Sequence, residues 1–319
     1  MTNQARPRIA IVGTGAIGGF YGCLLARAGE DVHFLCRSDY AQVRAHGLRV
    51  TRIDADTEDF ALERPKVYSN SQDIGPCDLV VIATKTTAND ALPALLEPLL
   101  QSGTVLLSLQ NGMGNLEFLQ AHFPGRRIVM GLCFVCVNRT APGVFENTLP
   151  GGGRVVLSAA AAEDRPLVDG LTERFNRAEV ACKASHSLDE ALWRKLCWNI
   201  PFNGLAIAAG GVTTDVIMGS ERLRQLARLL MDDVCAGAAA HGHRIEEAFL
   251  QQQFEATARM GAYHPSSLLD YLDGRPVELE TMFEEPLRRG QAKGAAMPHL
   301  ETLCALLRAL VQNRNRPSP

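Results

Sequence analysis

A glycine motif directly follows the first apolar stretch of the chain. The run Ile9–Val12 has the pattern of a buried strand, and Gly13-Thr14-Gly15-Ala16-Ile17-Gly18 follows it without a gap. An amphipathic segment, 20–28, comes next and ends at Gly29. This order favours a dinucleotide site over a turn without a ligand, because glycines let the backbone approach a pyrophosphate and a helix N-terminus offers free N–H groups. The predicted cofactor-binding residues of this motif are Gly13, Gly15, Ala16, Ile17 and Gly18.

The composition indicates a chain with enough apolar residues for a large core. Its 319 residues are 46% hydrophobic, which predicts two domains. The net charge of −3 gives no indication of nucleic-acid binding. No apolar run reaches the ~20 residues of a membrane span, and the polar residues 1–8 lack a signal-peptide core. We therefore expect no nucleic-acid partner and no membrane partner.

The cysteines indicate reduced thiols. There are nine, an odd number, and their spacing is not that of a disulfide framework, so we expect a cytoplasmic protein. Cys133 and Cys136 form a CxxC pair inside the apolar run 128–137, which is predicted to be one strand. Residues three apart on a strand point to opposite faces, so core thiols are favoured over a redox or zinc pair. The histidine pair around Gly242 is interpreted as a helix end, and we predict no metal site.

Strand and helix patterns alternate in the first part of the chain and then give way to helices alone. Apolar strand runs lie at 8–12, 32–36, 79–83 and 105–109, and further strands are predicted at 48–53 and 61–67. A helix is predicted at 88–100, interrupted by Pro93 and Pro98. After Ser187 helical periodicity takes over, from a helix at 188–208 onward. This order predicts an α/β fold, with a doubly wound Rossmann sheet followed by an all-helical domain and a ligand cleft between them. The predicted domains are a dinucleotide-binding domain at 1–184, a helical substrate and dimerisation domain at 185–312, and a disordered tail at 313–319.

The end of the second strand predicts which dinucleotide binds. An NAD-binding chain usually carries Asp or Glu there, for the ribose 2′-hydroxyl. Here Cys36 occupies that place and Arg37 follows. A guanidinium binds a phosphate through two hydrogen bonds, so Arg37 favours a 2′-phosphate and therefore NADP(H). In the alternative, Arg37 is a solvated residue and Asp39 binds the ribose.

Further motifs, in one order, carry a family resemblance. They are Lys85 after the strand at 79–83, Gln110-Asn111-Gly112 after the next, the stretch 192–199 with Lys195 and Asn199, the stretch 266–270, and the stretch 274–280 with Glu278. Their order and spacing resemble the ketopantoate reductase (2-dehydropantoate 2-reductase) family over nearly the whole chain. The resemblance implies an oxidoreductase that uses NADPH to reduce 2-dehydropantoate, a small 2-keto acid, to pantoate for pantothenate and coenzyme A biosynthesis.

The resemblance also implies roles for individual residues. Lys195 matches the family's proton donor, and Glu278 matches the acidic residue that works beside it. Lys85 and Asn111 match residues near the cofactor. The matching substrate-binding residues are Asn111, Asn199, Asn203 and Ser267. A cation aimed at the carbonyl oxygen suits the chemistry, because hydride addition leaves negative charge there.

Three of these assignments have a plainer alternative. A lysine on an amphipathic helix, such as Lys195, is usually a solvated surface residue. Ser267 lies where a serine can cap a helix, and Glu278 lies among other glutamates that are typical of a solvated surface. Trp193 and Trp198 flank Lys195 and are predicted to be core residues. The spacing of Lys195 and Asn199 places both on one helix face.

The chain departs from the family pattern on the side expected to bind substrate. Pro201-Phe202, His264-Pro265 and Phe283 replace residues that are usual in the family. These departures leave open a reductase of a different small 2-keto acid. A protein of another class, a non-catalytic NADP(H)-binding sensor or scaffold, is the further alternative. Apolar faces on the helical half are compatible with a homodimer.

Overall fold

The chain folds into two compact units. The computed structural model describes residues 6–52, 58–149 and 153–314. The first unit comprises Met1–Asn111 and Asn115–Leu188, and the second comprises Gly112–Gly114 and Asp189–Pro319. The division thus falls four residues beyond the predicted boundary at 184. The three residues Gly112–Gly114 are grouped with the helical unit, which the sequence did not predict.

The first unit is built from strands and short helices. Its strands are β1 Arg8–Val12, β2 Asp31–Leu35, β3 Leu48–Arg52, β4 Phe60–Leu62, β5 Lys66–Tyr68, β6 Leu79–Ile82, β7 Val105–Ser108, β8 Arg127–Phe134, β9 Val137–Ala141, β10 Val144–Asn147, β11 Arg154–Ala159 and β12 Ala181–Ala184. Its helices are α1 Ala16–Arg27, α2 Tyr40–His46, α3 Leu92–Leu96, α4 Asn115–His122 and α5 Arg165–Arg177.

Helices are the only regular secondary structure in the described part of the second unit, and loops connect them. Its helices are α6 Leu188–Ala208, which begins at the boundary, α7 Thr214–Gly219, α8 Glu221–Ala240, α9 Glu247–Ala258, α10 Ser266–Leu272, α11 Glu285–Ala292 and α12 Pro298–Arg314. A short π-helical turn, Glu280–Glu284, leads into α11. Among the described residues, no helix is long and apolar enough to cross a membrane.

One eight-stranded sheet forms the centre of the first unit. Its order is β12-β11-β8-β7-β6-β1-β2-β5, and every neighbouring pair is parallel except β8 with β11. Val12 lies opposite both Leu35 and Ile82, and Ile82 lies opposite Ser108. Four parallel strands therefore end side by side, which is where ligands bind in doubly wound sheets. The predicted fold class is confirmed.

A second, smaller sheet was not predicted. Its order is β4-β3-β10-β9, and Phe145 of β10 is fully buried against Gly19 of α1. The predicted single strand at 61–67 is wrong, since β4 belongs to this sheet and β5 to the main one. Pro65 lies between them and cannot donate to a sheet ladder.

Three further sequence predictions need correction. The strand predicted at 128–137 is two strands, β8 and β9, although Cys133 and Cys136 are both free, buried thiols as expected. The helix predicted at 88–100 is interrupted as expected from its two prolines, but it is α-helical only over Leu92–Leu96, between two 3₁₀ turns that were not predicted. The tail predicted to be disordered from residue 313 instead continues α12 to Arg314, and residues 315–319 lie outside the described part.

The core of the second unit surrounds α6. Trp193 is fully buried, as predicted, and packs against Gly237 of α8, where an added Cβ would lie 2.8 Å from the indole ring. The helix α6 continues through Pro201 to Ala208, so the proline does not end it. This buried helix carries Lys195 and both asparagines of the predicted site.

Candidate active site

The glycine motif lies at the carboxyl end of β1, in contact with the neighbouring strand ends. The Thr14 hydroxyl donates to the Leu35 carbonyl at 2.9 Å, which joins the glycine loop to the end of β2. Gly13 has φ +100°, and a Cβ there would lie 2.6 Å from the Thr84 backbone nitrogen after β6. Only glycine allows both this conformation and this close approach.

The N-terminus of α1 is open in the way that a pyrophosphate requires. Gly15 is the N-cap residue and provides no side-chain cap, so the first-turn N–H groups, including those of Ala16 and Ile17, remain for another acceptor. A Cβ built on Gly15 meets nothing within 4 Å, whereas one on Gly18 would collide with the Gly13 carbonyl. The motif is therefore tightly packed at Gly13 and Gly18 and open at Gly15, at the helix end, which fits a bound dinucleotide phosphate.

The end of β2 carries a positive charge and no competing negative one. Arg37 is exposed and makes no side-chain hydrogen bond or ion pair within the described residues. Asp39 is already engaged, since Arg139 of β9 pairs with it and the Ser38 hydroxyl donates to it at 2.8 Å. Burial raises the pKa of the Cys36 thiol, so this position stays neutral. This arrangement suits a 2′-phosphate on Arg37 better than a ribose on Asp39.

The loops after β6 and β7 are tied together by a residue to which the sequence analysis gave no role. The Gln110 amide donates to the Thr84 carbonyl at 3.1 Å and to the Asn89 side chain at 2.7 Å. Lys85 is exposed directly after Thr84, and Asn111 is half-buried directly after Gln110. The motif Gln110-Asn111 was visible in the sequence, but only the adjacency of β6 and β7 reveals that Gln110 positions the two loops.

Three polar side chains lie along α6 at intervals of four residues. Lys195, Asn199 and Asn203 are only 6%, 8% and 2% exposed. Because Lys195 is buried, it is not the solvated surface lysine that an amphipathic helix usually carries. The i, i+4 spacing places Lys195 and Asn199 on one face, as predicted.

The two asparagines differ in what their amides do. The Asn203 side chain donates to the Asn199 carbonyl at 3.0 Å and accepts from the Ser267 backbone N–H at 3.0 Å. Across the part of the chain that the structure describes, the Asn199 side chain makes no hydrogen bond. Asn199 can therefore bind a ligand directly, whereas Asn203 links α6 to α10.

Ser267 does not cap its own helix. The N-cap residue of α10 is Pro265, without a side-chain cap, and Asn203 supplies the missing acceptor from α6. Ser267 is 2% exposed, and its hydroxyl has no hydrogen bond to any described residue. The structure thus fixes the serine backbone and leaves the hydroxyl for another partner.

Glu278 differs from the glutamates that follow it. It is 4% exposed, and its carbonyl accepts from the Met282 N–H at 3.1 Å, at the start of the π-helical turn. By contrast, Glu280 pairs with Arg288 and Glu284 pairs with Arg308 near the surface. The solvated-surface alternative therefore describes these glutamates but not Glu278.

The short segment Gly112–Gly114 contacts the same turn. The Met113 N–H donates to the Thr281 carbonyl at 2.8 Å. Gly112 has φ +84°, and a Cβ there would collide with the Thr281 backbone. The glycine after Asn111 is therefore required for packing within the second unit.

Most of the departures from the family pattern are core residues. Phe202 and Phe283 are fully buried, with Phe202 stacked on Trp198 and Phe283 packed against Gly204. Trp198 is half-buried, and its indole N–H donates to the Thr257 hydroxyl at 2.9 Å. These residues therefore contribute to the packing of the helical unit.

The remaining candidates are histidines, of which His241 and His243 are half-buried. His264 is exposed. His241 caps the end of α8, and both it and His243 contact the Asp189 carboxylate, so the pair is a helix end as interpreted. The described residues contain no group of three or more His, Cys, Asp or Glu side chains arranged to hold a metal ion.

The open glycine turn at the carboxyl end of a parallel strand is typical of a dinucleotide-binding protein. Two family descriptions match the chain: "Ketopantoate reductase PanE/ApbA" over residues 9–162 and its C-terminal counterpart over residues 187–311. A curated 2-dehydropantoate 2-reductase from a Nostoc species is 36% identical over 97% of this chain and 96% of its own length.

Solved structures agree with this assignment. The 2-dehydropantoate 2-reductase of Geobacter metallireducens superimposes with a TM-score of 0.90 at 41% identity, over 95% of this chain and 99% of that one. The enzyme from Methylococcus capsulatus gives a TM-score of 0.84 at 30% identity, over 97% and 98% of the two chains. The chain belongs to the ketopantoate reductase family, whose activity is the NADPH-dependent reduction of 2-dehydropantoate. The predicted family and enzyme class are confirmed, and NADP(H) is the cofactor that this family uses.

Proposed function

We propose that this chain reduces 2-dehydropantoate to pantoate with NADPH, and that the first unit binds the cofactor while the second binds the keto acid. The observation that carries the proposal is the buried face of α6, where Lys195 and Asn199 lie together and the Asn199 amide is available. Gly13, Gly15 and Gly18 hold the pyrophosphate, with the N–H groups of Ala16 and Ile17. The remaining cofactor contacts come from Arg37, Lys85 and Asn111.

The chemistry follows from the charge that develops on the substrate. When bound, NADPH supplies a hydride to the C2 carbonyl carbon, and negative charge then grows on the carbonyl oxygen. Lys195 stabilises that charge and donates the proton that completes the hydroxyl group. Glu278, buried in the same unit, orients the lysine. A buried site strengthens these interactions, because water does not screen them.

Uncharged groups fix the orientation of the substrate. The Asn199 amide and the Ser267 hydroxyl can donate to substrate oxygens without adding charge. Asn203 contributes by holding the Ser267 backbone in place through the 3.0 Å hydrogen bond. Asn111 supplies a further amide from the end of β7. A 2-keto acid fits these groups because it presents a carbonyl and a carboxylate within a few atoms.

The experiment that tests the proposal follows NADPH absorbance with purified protein. We expect rapid oxidation with 2-dehydropantoate, much slower oxidation with NADH, and a loss of at least about 10²-fold in kcat for Lys195→Ala. Lys293→Ala is a matched control, because Lys293 is an exposed lysine of the same unit with no assigned role in the site. A panel of small 2-keto acids extends the assay.

The panel also separates the alternatives. A better substrate elsewhere in the panel would transfer the proposal to that keto acid. Tight NADPH binding without turnover of any keto acid would instead indicate a cofactor-binding sensor or scaffold. Phe202 and Phe283 are both buried in the core of the helical unit, so the panel, and not their exposure, decides whether they select another keto acid.

We also propose a homodimer and a cytoplasmic location. Val216, Leu272 and Leu306 are about half exposed, and all three lie in the helical unit. Burial of such residues in a partner surface would be favourable. All nine cysteines are free, which suits a reducing compartment. Light scattering of the wild-type chain beside Leu306→Glu tests the dimer.

A further inference from the structure

The segment that joins Ser267 to Glu278 contains a stretch without helix or strand. The helix α10 ends at Leu272, and residues 273–277 then lead to the buried glutamate. We call residues 273–277 the connecting segment. It contains a glycine at φ +69° and a proline, and most of its residues are exposed. Its own packing is therefore a weak constraint on where Glu278 lies relative to Ser267.

The middle of the connecting segment is held by a residue with a buried carboxylate, Asp270. The Arg275 N–H donates to the Asp270 carbonyl at 2.8 Å, and its Nε donates to the Asp270 carboxylate at 3.0 Å. Asp270 is 3% exposed and lies one helical turn after Ser267. The connecting segment is thus hydrogen-bonded to α10, the helix that carries Ser267.

The guanidinium of Arg314, at the end of α12, also donates hydrogen bonds to this region. Arg314 donates to the Tyr271 carbonyl at 2.6 Å and to the Arg275 carbonyl at 2.9 Å. The guanidinium lies 5.0 Å from the centre of the Tyr271 ring. A further contact, at 3.4 Å, reaches the Asp270 carbonyl. One side chain therefore bridges the end of α10 and the middle of the connecting segment.

We infer that Arg314 is a positioning residue for the reductase reaction, which it supports by holding the connecting segment so that Ser267 and Glu278 keep their relative positions. This inference rests on the proposed function, because it assigns those two residues to the substrate site. Arginine suits the role, since its planar group donates in several fixed directions and stays charged. Lysine has a single flexible nitrogen and cannot reproduce the bridge.

The experiment compares Arg314→Ala and Arg314→Lys with Arg308→Ala. Arg308 lies on the same helix, is more than half exposed and pairs with Glu284, so it controls for the loss of one arginine from α12. Hydrogen exchange of the peptides that cover 270–280 reports on the connecting segment directly. Steady-state kinetics, with each substrate varied in turn, and NADPH binding report on the site.

For Arg314→Ala we expect faster exchange in 270–280 and a fall of about 10- to 30-fold in kcat/KM for the keto acid, since small misplacements of site groups are costly. The Kd for NADPH should stay within about twofold, because the cofactor contacts lie in the first unit. Arg314→Lys should recover only part of the loss, and Arg308→Ala should match wild type. A uniform structural defect would instead change NADPH binding and overall exchange together.

Two results would overturn the inference. Unchanged exchange in Arg314→Ala would mean that the guanidinium does not hold the segment. Faster exchange with unchanged keto-acid kinetics would mean that the segment does not position the site. Failure of the proposed function is distinguishable, because wild-type protein would then be inactive with every keto acid while its exchange could still be compared with that of Arg314→Ala.

Discussion

The two asparagines of α6 give a direct test of the assigned roles. Asn203→Ala removes the acceptor for the Ser267 N–H, which then stays buried without a partner, at a cost of about 1–3 kcal/mol. The missing amide also leaves a small cavity in a 2% exposed site, which adds about 1 kcal/mol. We expect the second unit to lose about 2–4 kcal/mol of unfolding free energy.

The matched variant is Asn199→Ala. Its amide makes no hydrogen bond to a described residue, so truncation should change the unfolding free energy by less than about 1 kcal/mol. If Asn199 binds the keto acid, kcat/KM should fall by about 10- to 10²-fold, the equivalent of one or two lost hydrogen bonds. Urea denaturation and steady-state kinetics on both variants measure the contrast. The reasoning is refuted if Asn203→Ala keeps wild-type stability and loses only keto-acid affinity, since Asn203 would then be a direct ligand.

The remaining predictions concern the first unit. Gly15→Ala should fold normally but raise the Kd for NADPH by at least about tenfold, because its methyl group enters the open space at the helix end. Gly13→Ala should also destabilise the fold, because its φ is positive and its Cβ would collide with the backbone. Thermal unfolding by calorimetry and calorimetric titration with NADPH distinguish the two variants. Arg37→Ser should weaken NADPH binding by about 10- to 10²-fold and leave NADH binding unchanged, which fluorescence titration measures. Burial lowers the pKa of His33 below its usual ~6.5, so its contribution to stability is complete above that pH and is lost as the pH falls through the lowered value. Urea midpoints between pH 8 and 5 should therefore fall less steeply for His33→Phe than for wild type.

The central sheet could be predicted from the sequence because its strands carry a strong local signal. β1 and β6 are continuous apolar runs, typical of parallel strands that are covered on both faces. The second sheet has no such signal, since β4 is three residues long and half-exposed. Its existence depends on the burial of Phe145 against α1, a contact between residues more than a hundred positions apart. Patterns within a short window do not contain that information.

The C-terminal end of α12 is a second feature that short sequence patterns did not predict. Its sequence is polar and predicts disorder, because few apolar residues are available to offset the loss of chain entropy. Arg314 nevertheless donates to the carbonyls of Tyr271 and Arg275, more than 35 positions earlier. The helix is extended by these long-range hydrogen bonds and by the packing of the guanidinium on an aromatic ring. A residue of this kind is recognised only when its partners are known.

Hydrogen-bond partners also distinguish Asn199 from Asn203, two residues that the family motif treats alike. Asn199 and Asn203 share a helix, a residue type and a spacing, so the family resemblance gave both the same role. Their partners differ, because Asn203 is one turn closer to the N-terminus of α10, where a backbone N–H needs an acceptor. An amide that already satisfies a helix end can release its hydrogen bonds to a substrate only by leaving that N–H unpaired. The free-energy cost of that exchange makes Asn199, and not Asn203, the residue that we expect to respond to a change of substrate.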